Sequence, residues 1–329
     1  MRKKDSPTTC PCCSGLPYEQ CCKRFHDGFL PEDALQLMRS RYSAYVLDLP
    51  EYVINTTHPA SPQYCADRSL WTKKITDFSK NSSFERLEVL DFKERGTLAI
   101  VTFVAHLSQG GKDATFTEKS YFERIKGRWF YRNGQLAEGH APNLITTGQI
   151  RLLPLAYYGD PILRKKADTV LEITDDIRKL VEEMQETMDA CNGVGLAAPQ
   201  IHHSIRLFII RRPIETSEED FECGEVKVFI NPEISSLSEE VWEASEGCLS
   251  IPTIYEKVSR PKAATVTYTN LEGDRIQERV SGWEARVILH EFDHIEGVFF
   301  IDRLDKEVRE KLEPLLTHLK GRIHTGAEL

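Results

Sequence analysis

The chain has 329 residues, with 42 Lys and Arg against 51 Asp and Glu and a formal net charge of −9. That length accommodates two domains with separate cores, and the acidic balance excludes a general nucleic-acid binder, whose footprint is basic. No apolar run approaches membrane-spanning length, and Met1 to Thr9 lack the apolar stretch of a secretory signal, so a soluble cytoplasmic protein is expected.

Five of the nine cysteines crowd the first stretch of chain, Cys10, Cys12, Cys13, Cys21 and Cys22. Two thiols one residue apart, a Ser14-Gly15 turn and two adjacent thiols suit one tetrahedral ion better than disulfides. The segment is too short and polar to fold by apolar burial, so metal binding would supply its folding free energy. It resembles the SEC-C zinc motif. Carried over by position, the structural zinc ligands are Cys10, Cys12, Cys21 and Cys22, with Cys13 the alternative to Cys12. Cys65, Cys191 and Cys223 read as free thiols without a role.

From Pro31 to His58, Ala34, Leu35, Leu37, Met38, Tyr42, Tyr45 and Val46 recur at helical spacing. Leu87 to Leu90, Leu98 to Leu107, Phe116 to Ile125 and Trp129 to Arg132 then read as strands. Turns at Gly96, Gly110-Gly111 and Lys126-Gly127 make an antiparallel meander. One helical segment on such a sheet is an α+β domain. The phrase Leu37-Met38-Arg39-Ser40-Arg41-Tyr42, together with the cysteines, resembles the YchJ-type family, and the resemblance implies an NTF2-like cone. His58 and His106 lack partners at telling spacing. The expected division is a zinc module over 1–25, an NTF2-like domain over 26–138, a linker over 139–149 and a second α+β domain over 150–329.

The second domain opens with Gly159 to Arg164. Asp175 to Ala190 forms a helix with Ile177, Leu180, Val181, Met184 and Met188 on one face. Gly193 and Gly195 interrupt it and let the backbone approach a ligand closely. Arg206 to Ile210 and Val226 to Ile230 read as strands around an acidic loop, Glu215 to Glu225. Ala263 to Thr269 and Arg275 to Val280 make a hairpin at Gly273.

His290-Glu291-Phe292-Asp293-His294 follows, an H-E-x-x-H pattern. Residues at i and i+4 share a helix face, so both imidazoles can hold one ion beside a carboxylate. A third ligand must come from elsewhere. Downstream, Phe300 occupies the place of a third histidine, and Glu313 stands near the distance of a glutamate ligand. Upstream, Glu246-Gly247-Cys248-Leu249-Ser250 offers a thiol, and Cys-His-His suits a borderline-soft divalent ion.

Gly193 to Gln200, Glu246 to Ser250 and His290 to His294 resemble, in order and spacing, the three signature blocks of the peptide deformylases. The resemblance runs from near Ile150 to the C-terminus. It implies Cys248, His290 and His294 as ligands of a catalytic ion, Fe2+ in vivo with Zn2+, Ni2+ or Co2+ also accepted. An ion so held keeps a fourth position for water and lowers its pKa from ~15.7 toward ~7. Glu291 is then the general acid/base, and the Gln200 amide and Leu249 N–H stabilise the oxyanion. Gly195 and Glu246 line or brace the site, Arg260 helps hold the peptide, and apolar side chains near Val287 accept the methionine. The implied activity is release of formate from N-formylmethionyl polypeptides. A helix over Lys306 to Lys320 is the segment that would reach a ribosome. Leu289 departs from the family, which commonly has glutamine there. A peptidase using Glu313 and a non-catalytic ribosome- or chaperone-associated module are the alternatives.

Overall fold

The computed structural model describes residues 9–216 and 220–325, with side chains through Gly321. The chain divides into two compact units between Ile150 and Arg151.

In the first unit, η turn Tyr18–Gln20 and the short helix α1, Lys23–His26, follow the cysteines, and α2 spans Ala34–Val46. Asp33 caps α2 by accepting a 2.7 Å hydrogen bond from the Gln36 N–H, as an N-cap aspartate does. The expected single helical segment is in fact several. Asp48 at φ 55 ends the run, α3 restarts at Pro50–Asn55, and α4 covers Arg68–Asn81 behind an Asp67 cap. Strands β1 (Ser82–Arg95), β2 (Leu98–Gln109), β3 (Lys112–Asp113), β4 (Phe116–Ile125) and β5 (Arg128–Glu138) form one antiparallel sheet. Its order is β1-β2-β4-β5, with β3 on β2, so the meander is as expected. Lys126 and Gly127, both at positive φ, make the two-residue turn that matches strand twist.

The second unit carries α5 (Asp175–Ala190), capped by Thr174, and two antiparallel sheets. Strands β6 (Gly195–Ala197), β7 (Leu207–Glu215), β8 (Phe221–Ser235), β11 (Ala263–Thr269) and β12 (Arg275–Ser281) run in the order β12-β11-β8-β7-β6. Strands β9 (Val241–Cys248) and β10 (Ile251–Pro261) form a separate hairpin. That hairpin was not expected from its charge-rich sequence. The acidic stretch proves shorter than expected, since β7 and β8 extend into it.

Helix α6, Gly282–Ile295, lies against the larger sheet. Ala285, Ile288 and Ile295 enter one buried cluster with Phe208, Phe229 and Val266, and Phe292 packs on its edge. Three- and four-residue steps put these side chains on one face. The opposite faces are thereby left to the polar residues of the H-E-x-x-H pattern. Glu215 accepts a 3.0 Å hydrogen bond from the Trp283 N–H, placing a carboxylate at the positive end of the helix. Gly297, at φ 76, follows the helix with the Arg164 carbonyl where a Cβ would stand. Helix α7, Lys306–Thr325, completes the unit. No helix among the described residues is long and apolar enough to cross a membrane.

Candidate active site and cysteine cluster

The β9–β10 hairpin and α6 together bring the three expected ligands into one place. Cys248 ends β9 and pairs with Ile251, leaving Leu249 and Ser250 as a two-residue turn. One ligand atom each from Cys248, His290 and His294 falls within 4.8 Å of the others. Cys248 Sγ lies 3.2 Å from His294 Nε2. His290 Nδ1 lies 3.0 Å from Glu246 Oε2, which turns its Nε2 toward the thiol. Glu313 takes no part. It pairs with Arg309 on α7 at 2.6 Å and is exposed.

The donor set fits a divalent ion. A half-buried sulfur and two buried imidazoles converge there and leave room for a fourth ligand. The ligands' surroundings are strongly charged. Burial opposes protonation of His290, but Cys248 and Glu246 outweigh it and lift the imidazole to about 10. Burial and the neighbouring His290 cation push His294 well below its ordinary value.

Glu246 is the hub of a buried network. It accepts from Arg260 Nε at 2.6 Å, Arg260 NH2 at 2.8 Å and Arg286 NH1 at 2.6 Å. These cations and His290 outweigh burial and keep its carboxyl well below the usual range. Asp293 accepts from Arg260 NH1 at 2.9 Å and from Arg303. The expectation that Arg260 touches the peptide is therefore corrected. At 2% exposure, with its guanidinium spent on two carboxylates, it braces Glu246 instead of binding substrate. Glu246 likewise braces His290 from behind.

Glu291 is 4% exposed, and among the described residues its Oε2 has no hydrogen-bond partner. Burial raises its carboxyl to about 7, against the pull of His290 and Arg260. Gly195 lies directly against it, and a Cβ there would overlap the carboxylate. Gln200 is fixed through Oε1, which accepts from the Ala197 N–H at 2.8 Å. Its Nε2 is thereby aimed at Ser250 Oγ, 3.2 Å, and Cys248 Sγ, 3.6 Å. Val287 sits one helical turn before Glu291 and is buried, as is Leu289.

Asp293, Arg286, Arg303 and Ser250 were not foreseen. Arg286, His290 and Asp293 stand at four- and three-residue steps on α6, a pattern visible beforehand. Their partners stand on β9 and β10, whose charged sequence lacks a clear apolar alternation.

In the first unit, the thiols of Cys10, Cys12, Cys21 and Cys22 also lie within 4.8 Å of one another. Cys12 Sγ and Cys21 Sγ are 3.6 Å apart, too far for a disulfide. Cys13 turns outward at φ 57 and its sulfur accepts from the Leu87 N–H at 3.4 Å. Arg39 clamps the Cys12 carbonyl at 2.6 Å. Cys10, Cys12 and Cys22 belong to the same buried cluster as Leu37 and Phe103, so the loop is part of the domain core.

An H-E-x-x-H helix, a thiol on a facing hairpin and a buried glutamate with one unpaired oxygen define the site of a metal-dependent hydrolase. Residues 152–310 match the polypeptide deformylase family model, and residues 33–134 match that of the YchJ middle NTF2-like domain. The peptide deformylase of Pseudothermotoga lettingae is 42% identical over 168 residues, 50% of this chain and 89% of the relative. That of Synechocystis is 42% identical over 153 residues, 46% of this chain and 79% of its own. The crystal structure of the Thermotoga maritima peptide deformylase shares 39% identity, covering 47% of this chain and 98% of that one, with a TM-score of 0.42. The chain belongs to the peptide deformylase family, joined to a YchJ-like NTF2 domain.

Proposed function

We propose that the chain removes the formyl group from N-formylmethionine at the start of newly made polypeptides and releases formate. The observation that carries this is Glu291: buried, unpaired on one oxygen, and beside three converging metal donors. Cys248, His290 and His294 would hold the ion, Fe2+ in the cell. When bound, it supplies Lewis acidity to the attacking water and the formyl oxygen.

Glu291 takes the proton from the attacking water and delivers it to the departing amine. The Gln200 Nε2 and the Leu249 N–H donate to the oxygen on which negative charge develops. Gly195 keeps the path to Glu291 open, and Val287 contributes apolar surface for the methionine side chain. Arg260 and Glu246 set the tautomer and direction of His290. Cys10, Cys12, Cys21 and Cys22 would hold a structural Zn2+ in a module over 1–25, ahead of an NTF2-like domain over 26–138, a linker over 139–149 and the deformylase domain over 150–329. The outer face of α7 is the part that would meet a ribosome.

Formate release from a formyl-Met peptide, assayed anaerobically with Fe2+ and again with Zn2+, tests this. Wild type should turn over and Glu291→Ala should lose at least about a hundredfold. Binding of the peptide without formate under either ion would favour the non-catalytic reading. Activity lost in Glu313→Gln but kept in Cys248→Ala would favour a peptidase of another ligand set.

A further inference from the structure

The first unit encloses a cavity of about 690 Å³, lined wholly by its own residues. Tyr45, Trp71, Phe78, Phe84, Phe103 and Phe116 supply aromatic wall. Packed interiors do not keep voids of this size without cost, and the volume lies in the range that takes a drug-sized ligand. Exposed Lys74, Leu136 and Glu138 also line it, so the space reaches the surface.

One polar cluster interrupts the apolar wall. Glu118 Oε1 accepts hydrogen bonds from Ser120 Oγ at 2.6 Å and Tyr131 OH at 2.9 Å. Gln63 Nε2 donates to the same tyrosine oxygen at 3.1 Å. Oε2 of Glu118 takes no hydrogen bond from any described residue. The carboxylate lies where a Cβ of Gly134 would be, so β5 carries a glycine in its interior, at a cost in strand stability. Arg41 stacks over the Tyr131 ring, 4.6 Å to its centroid. Its NH1 is held by the Val53 carbonyl and by Thr56 and Thr57. Burial raises the Glu118 carboxyl, while Ser120, Tyr131 and the Arg41 charge work against that. Burial outweighs the Arg41 charge, which makes no ion pair with Glu118 among the described residues, so the pocket disfavours charge and leaves Oε2 open to a hydrogen-bond donor.

We propose that this cavity binds an uncharged, mainly aromatic small molecule that presents one N–H or O–H donor to Glu118 Oε2. The aromatic walls supply affinity through burial and ring contacts. The carboxylate selects, because an apolar ligand without a donor would seal Oε2 away from water unsatisfied.

The test uses the full chain and N-phenyl-1-naphthylamine, an uncharged fluorophore with a single N–H. Displacement is then compared for 1-naphthol and 1-methoxynaphthalene, one ring system with and without its donor. We expect saturable binding of one probe per chain and displacement by 1-naphthol at about tenfold lower concentration than the ether, the ratio one buried hydrogen bond supplies. Ala137→Trp, which fills the cavity, should weaken probe binding by about tenfold or more. In Glu118→Leu the two naphthalenes should displace alike. If that variant fails to fold by circular dichroism, the wild-type ratio decides alone. The proposal is overturned if wild type shows no saturable binding, if the two naphthalenes displace it equally, or if folded Ala137→Trp binds as wild type does.

Discussion

Glu246 Oε2 stands 3.0 Å from His290 Nδ1, and two arginines hold the same carboxylate from behind. An imidazole so fixed can offer only its other nitrogen to an ion, and the anion raises its basicity as a ligand. The hairpin that carries Cys248 also carries Glu246, so one structural element supplies a ligand and aims another.

Replacing that carboxylate should act on metal affinity before it acts on chemistry. Glu246→Gln removes the charge that aims His290 and leaves Arg260 and Arg286 buried without their full partner. Metal affinity should fall about 10- to 100-fold, and stability by about 3–5 kcal/mol at most. Competition with a chromophoric chelator and a urea melt measure the two effects separately. Unchanged metal affinity would show that the carboxylate does not orient His290.

Gly195 gives a cleaner separation of chemistry from ligation. A methyl group there overlaps the Glu291 side chain, which supplies all three of its nearest atoms. Gly195→Ala should retain metal and fold while kcat/KM drops by about a hundredfold, the cost of displacing a catalytic group by about 1 Å. Metal content and steady-state rates on the same preparation check this.

These two positions also show what the sequence made legible. The ligand set was readable because H-E-x-x-H on a helix leaves little freedom, and the glycines near Gln200 marked a close approach. The role of Arg260 was not, because it depends on β9 and β10, whose charged residues alternate around Ala244, Glu246 and Val258 without a conspicuous apolar run. A buried charge network of this kind erases the hydrophobic alternation by which strands are recognised. Helix α4 is inconspicuous in the sequence for a related reason. Trp71, Ile75 and Phe78 sit at helical spacing, but polar residues fill most of the rest, and the Asp67 cap lies among other polar residues that suit a loop equally well. The cavity is likewise invisible beforehand, since aromatic residues lining a space and filling a core have the same periodicity.

The buried state of Glu291 makes two pH predictions of opposite sense. As the general base it must be ionised, and burial lifts its carboxyl to about 7. In the metal-loaded enzyme the cation draws that value down, so activity per enzyme should fall about tenfold per pH unit on the acid side of a pKa below 7. In metal-free protein the raised value favours the protonated form of the fold. The stability it contributes is complete below the ordinary carboxyl range, near 4.5, and is lost as pH rises through about 7. Glu291→Gln should then melt several degrees above wild type at pH 8 and alongside it at pH 4.5. Parallel melts at both pH values would contradict a raised Glu291.

The cysteine cluster allows a test of metal-coupled folding within the first unit. Cys10, Cys12 and Cys22 are buried in the same cluster as Leu37 and Phe103, so removing an ion there unties part of the core. Cys22→Ser should lower bound metal from two ions per chain to one and lower the melting temperature of the first unit. Formate release with the remaining ion should stay within about twofold of wild type, because none of the catalytic groups belongs to that unit. Elemental analysis, a thermal melt and the formyl-peptide assay on one sample separate the outcomes. Two ions retained in Cys22→Ser would remove that cysteine from the ligand set, and one ion in wild type would leave the cluster as packed thiols.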